Sequence, residues 1–95
     1  MYNISKELFE AVTGEDTGNI FEVYYNPRID INSFFFKCKK WALKQGYHLV
    51  SCTDKCHIQK KQVSMDMHIK TLMSDSEQQA VFDACQYILE QLKDN

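Results

Sequence analysis

The stretch INSFFFKCKKWALKQG, residues 31–46, decides how the chain is read, because it holds the only tryptophan, three consecutive phenylalanines and boundary signals at both ends. Asn32 and Ser33 can each offer a side-chain oxygen to the unpaired N–H groups of a first helical turn, and Gly46 stands where a left-handed residue closes a last one. Between them Ile31, Phe34, Phe35, Cys38, Trp41 and Ala42 recur at spacings of three and four, while Lys37, Lys40 and Lys44 fall on a separate stripe. The spacing predicts a central helix over residues 31–45 with one apolar and one basic face.

Downstream, YHLVSC (47–52) and CHIQKK (56–61) read as the arms of a hairpin around Thr53, Asp54 and Lys55. A three-residue loop sets Cys52 opposite Cys56 and Val50 opposite Ile58. QVSMDMHIKT (62–71) alternates strictly, with Val63, Met65, Met67 and Ile69 on one face and Ser64, Asp66, His68 and Lys70 on the other, which is a strand. Ser74, Asp75 and Ser76 then offer caps to a last helix that runs to about Leu92 on Val81, Cys85 and Ile88. Upstream, Ser5 and Gly14 bound a short helix carrying Leu8, Phe9 and Val12, and IFEVYY (20–25) reads as a strand stopped by Pro27.

The expectation is a single two-layer α+β domain over residues 1–95, in the order α-β-α-β-β-β-α, with helices on one face of a mostly antiparallel sheet. Residues 31–92 form its α-β-β-β-α core, and residues 1–30 add an N-terminal helix and strand. The expected core is Phe34, Phe35, Trp41, Val50, Ile58, Met65, Met67, Val81, Cys85 and Ile88.

A chain of 95 residues fits one core and is too short for a cofactor domain plus a substrate domain. No apolar run approaches the ~18 residues that span a bilayer, and the opening MYNISKELFEAV lacks the plan of a signal peptide. A cytoplasmic protein with reduced thiols is expected, with Cys38 and Cys85 as small hydrophobes on their helices.

Cys52, Cys56 and His57, with His48 nearby, are the grouping with metal-capable side chains. They lack the second close pair that zinc sites use, so no metal site is assigned, and whether the two thiols pair is a question of geometry. Asp66 and His68 sit two apart on a polar strand face, the minimum for a general-base pair, and read more simply as a solvated face. No nucleophile elbow or glycine-rich phosphate loop occurs in the sequence, so no catalytic residue and no cofactor is expected.

Charge is segregated. Residues 31–73 carry eight lysines against Asp54 and Asp66, whereas the flanking segments are acidic. Neutralisation of those lysines by the flanking carboxylates is the expected arrangement. If they stay free, Lys37, Lys40 and Lys44 with Lys60 and Lys61 are the residues to contact a nucleic acid.

The α-β-β-β-α order of residues 31–92 is similar to that of the double-stranded-RNA-binding domain, and the resemblance implies phosphate contacts at the start of the last helix. There this chain has Ser74, Asp75, Ser76 and Glu77 in place of the family's lysine cluster, so the likeness covers topology alone. INSFFFKCKKWALKQGY together with AVFDACQYIL resembles short uncharacterised proteins of bacteria and their prophages, which implies a bacterial or phage origin and no particular activity. The functional expectation is a small non-enzymatic interaction or regulatory protein. It binds a protein partner, or itself as a homodimer, through the edge strands at 62–71 or 20–25. The alternative is RNA binding through the basic 31–73 segment; no membrane partner is expected.

Overall fold

The computed structural model describes residues 2–61 and 67–94. Three helices, α1 (Lys6–Thr13), α2 (Ile31–Lys44) and α3 (Glu77–Lys93), accompany three strands, β1 (Tyr47–Cys52), β2 (Lys55–Lys60) and β3 (Met67–Met73). The sheet is antiparallel throughout, in the order β1-β2-β3, and α2 and α3 pack on one of its faces. The class is α+β.

Local chemistry accounts for the helix ends. Ser5 Oγ accepts the Leu8 N–H at 3.0 Å to start α1, and Gly14, at φ +78°, closes it by donating to the Glu10 carbonyl. Ser76 Oγ accepts the Gln79 N–H at 3.1 Å at the start of α3. At α2 the cap is Asp30, one residue before the helix, whose carboxylate accepts the Ser33 N–H at 3.1 Å. Asn32 and Ser33, expected as caps, lie inside the first turn, because a cap carboxylate also meets the positive end of the helix dipole.

The 20–25 segment is not a strand. Phe21–Tyr25 forms a π-helical turn, with the Asn26 N–H reaching back to the Phe21 carbonyl, and Asn26–Arg28 continues as a 3₁₀ turn. A strand would have pointed Phe21, Val23 and Tyr25 inward together, yet Val23 is 75% exposed. Phe21 and Tyr25 instead both reach the Phe9 ring, at 5.5 and 5.8 Å between centroids, and residues four apart come close enough to share one ring when helical, about 6 Å along the axis, but not in a strand, where they lie about 13 Å apart. Packing on Phe9 overrides the β-propensity of the sequence.

The hairpin corrects a second expectation. Its loop is the two residues Thr53 and Asp54, so Cys52 pairs with Lys55, Val50 with His57, and Leu49 with Ile58. A shift of one residue turns a strand over, and Leu49 is therefore buried while Val50, expected in the core, is 42% exposed. Met67 is also exposed rather than buried. In β3 the pairing slips between Ile58 and Gln59, which face Lys70 and His68, leaving Ile69 as the extra residue of a bulge. Beyond it Leu72 lies opposite Cys56, and Lys70 Nζ sits 5.4 Å from the centre of the Tyr87 ring. Val63, Met65 and Asp66 lie outside the described residues.

The core is centred on α3 rather than on α2. Ala80, Val81, Phe82, Ala84, Cys85 and Ile88 are completely buried, and α3 packs against α1, α2 and all three strands. Phe34, Phe35, Cys38, Trp41 and Ala42 of α2 and Leu8 and Phe9 of α1 complete it.

The loop after α1 is clamped. Glu10 accepts both the backbone N–H and the hydroxyl of buried Thr17, at 2.7 and 2.8 Å, with Lys6 Nζ 3.6 Å away. These hydrogen bonds, the backbone one first, hold its carboxyl below the usual glutamate range. A lowered folded value means that the clamp contributes in full above the ordinary glutamate range and is lost as pH falls through the lowered one. Thermal unfolding from neutral pH downward should show wild type more stable than Glu10→Gln, by a margin that shrinks in acid. A margin independent of pH would count against an ionised clamp.

Candidate functional site

A groove of about 770 Å³ lies between α1, the helical turns over residues 21–28 and α2. Its floor is aromatic: Phe9 stacks on Phe34 at 5.7 Å, and Trp41 lies beside them, 8% exposed. Val12 on α1 and Tyr24, Tyr25 and Ile29 after it line the sides. The opposite rim is the basic face of α2, where Lys37, Lys40 and Lys44 stand at spacings of three and four, all exposed. Such spacing places them in one row on the helix surface.

Arg28 is the fourth cation of the groove. Its Nη1 donates to the Tyr24 carbonyl at 2.8 Å, and its guanidinium sits 4.2 Å from the centre of the Tyr24 ring. Glu15 and Asp30 are the carboxylates on the lining, and Asp30 is engaged as the α2 cap.

The expected neutralisation of the lysines by the flanking acids is not what the structure contains. The ion pairs among the described residues are Lys6–Glu10 and Lys93–Glu7, neither of which uses a lysine of the basic middle. Lys39, Lys60 and Lys70 lie over the rings of Phe35, Tyr47 and Tyr87. Among the described residues no carboxylate comes within 4.0 Å of Lys37, Lys40 or Lys44. The acids lie near the chain ends in sequence, and the fold engages several of them elsewhere: Glu10 with Thr17, Asp30 as the α2 cap, Glu77 with the Ser51 hydroxyl and Asp83 with the Gln79 amide.

Of the five lysines singled out from sequence, the structure brings three to the groove and holds two at the end of the sheet. The Lys61 N–H donates to the Gly46 carbonyl at 3.1 Å, which sets Lys60 and Lys61 just beyond the C-terminal end of α2. Sequence reasoning missed Arg28, Tyr24 and Tyr25, because the first was counted with an acidic segment and the others were assigned to a strand. The usable signal was the four-residue step from Tyr24 to Arg28, which suits a helical turn.

The sulfur and imidazole groups take other places. Cys52 is exposed on the open face of the sheet and Cys56 is fully buried on the covered face, so the two thiols point apart and cannot pair. Burial pushes the Cys56 thiol up to about 12, which keeps it protonated and unreactive. The Cys85 thiol is likewise raised, by its contact with Cys38 and by burial. His57 Nδ1 and Thr71 Oγ1 are 2.7 Å apart on the open face, with the His68 ring 5.8 Å from that of His57. No group of three metal-capable side chains occurs among the described residues. No helix among them is long and apolar enough to cross a membrane.

Comparison with protein-family models, with curated proteins and with solved structures found no match.

Proposed function

We propose that the chain is a small, non-enzymatic interaction protein of the cytoplasm whose working surface is the groove, and that its partner is another protein. The observation that carries this is the row Lys37, Lys40 and Lys44, without carboxylate partners among the described residues, beside an apolar floor. A cationic rim draws an acidic partner in and fixes its register, while apolar contact below supplies affinity. The 20–25 segment, being helical, offers no sheet edge; β3 lies at an edge of the sheet and supports strand addition as a secondary mode of association.

Selection of displayed random peptides on the folded chain tests the reading. Recovered peptides should shift the fluorescence of Trp41, and their affinity should fall by about ten-fold or more on a Lys37→Glu/Lys40→Glu/Lys44→Glu variant. Peptides that bind both proteins equally would remove the groove from the function. The rival, RNA binding, draws on the same unpaired cations. It predicts binding of duplex RNA at ~50 mM salt that is lost by several orders of magnitude at ~200 mM.

A further inference from the structure

We propose that the groove receives an acidic amphipathic helix of the partner, laid alongside α2 with carboxylates on Lys37, Lys40 and Lys44 and its apolar side against Val12, Tyr25 and Ile29. The inference rests on the reading above and adds the shape and chemistry of the partner segment. Spacings of three and four residues put the lysines about 4.5 and 6 Å apart along the axis of α2, at 1.5 Å per residue. A helix carrying acids at i, i+3 and i+7 repeats those steps on one face, whereas an extended segment repeats a face about every 6.6 Å and falls out of step at the first pair. Glutamates at those positions also leave the neighbouring positions of the partner helix free for leucine-like side chains. Those side chains face Val12, Tyr25 and Ile29, each half-buried and packed at its inner edge against the core.

The aromatic floor argues for protein over nucleic acid. Bases stack on free ring faces. Here Phe9 faces Phe34, and Phe34 in turn meets Phe82 at 5.4 Å. The Tyr24 ring is covered by Arg28. Aliphatic side chains need no stacking face, only apolar surface to cover.

The test uses the full chain and three probes: a tryptophan-free, helix-forming peptide with glutamates at i, i+3 and i+7 and leucines beside them, a scrambled peptide of equal composition, and a single-stranded RNA. Trp41, the only tryptophan, reports occupancy, and labelled peptides give affinity by polarisation. The ordered peptide should bind at least about ten-fold tighter than the scrambled one and lose about ten-fold or more on Lys37→Glu/Lys40→Glu. A peptide with lysines in place of the glutamates should bind that variant, whose circular dichroism must match wild type. Equal binding of ordered and scrambled peptides, both weakened by the substitutions, overturns the helical geometry and leaves the groove as the site. Binding indifferent to the substitutions overturns the groove itself. RNA binding tighter than either peptide, and abolished by the same substitutions, replaces the protein partner with a nucleic acid.

Discussion

Phe82→Ala is expected to destabilise the domain by about 3–5 kcal/mol, the usual cost of emptying a fully packed aromatic site. Phe82 is completely buried on α3, where its ring meets Tyr2 edge-on at 5.8 Å and Phe34 at 5.4 Å. It therefore links the N-terminal segment, α2 and α3, and the void left by alanine has walls on three elements that cannot all collapse toward it. Domains of this kind have only about 5–15 kcal/mol of stability in total, so the variant should be partly unfolded at ambient temperature or close to it. Urea denaturation followed by circular dichroism measures the effect. Phe36→Ala is the control: Phe36 is 61% exposed, and its loss should stay within about 0.5 kcal/mol. Equal midpoints for the two variants would mean that α3 does not centre the core.

Leu49→Asp should abolish folding, whereas Val50→Asp should cost less than about 1 kcal/mol. The residues are neighbours of similar character, and what separates them is strand parity. Leu49 is 6% exposed and lies opposite fully buried Ile58; Val50 is 42% exposed opposite His57. An aspartate at 49 would place an unpaired carboxylate among apolar side chains, a penalty of several kcal/mol. At 50 it would stand in water on the open face of the sheet, next to the imidazole of His57. Dispersion of the amide proton spectrum reads both variants at once. The reverse outcome, a folded Leu49→Asp and an unfolded Val50→Asp, would restore the three-residue loop and the opposite register.

The helices were legible because their signals are local. The ends of α1 and α3 follow from Ser5, Gly14 and Ser76, and the buried stripe of α2 follows from the spacing of Phe34, Phe35, Cys38, Trp41 and Ala42. The cap of α2 was misplaced because Asp30, Asn32 and Ser33 are all competent, and only the path of the entering chain selects among them. The site was legible in part. Lys37, Lys40 and Lys44 stand out as a row on any helix drawn through residues 31–45, but their lack of carboxylate partners among the described residues depends on where distant acids fold.

What the sequence determined by itself is the α+β class, three helices with their apolar faces, and a hairpin followed by a third strand, whose expected strict alternation is broken by the bulge at Ile69. Periodicities of 3.6 and 2.0, with caps and glycines at their ends, are properties of neighbouring residues. Three matters waited for the tertiary structure: the helical state of Phe21–Tyr25, the register of β1, and the groove. The first turns on Phe9, twelve residues before Phe21 in the chain, whose single ring meets both Phe21 and Tyr25, which only the short rise of a helical turn brings within reach of it. The second turns on a loop of two residues rather than three, a difference of one that exchanges Leu49 for Val50 in the core. The third exists because α1 and the helical turns pack beside α2 rather than joining the sheet, and a concavity belongs to no single segment of the chain.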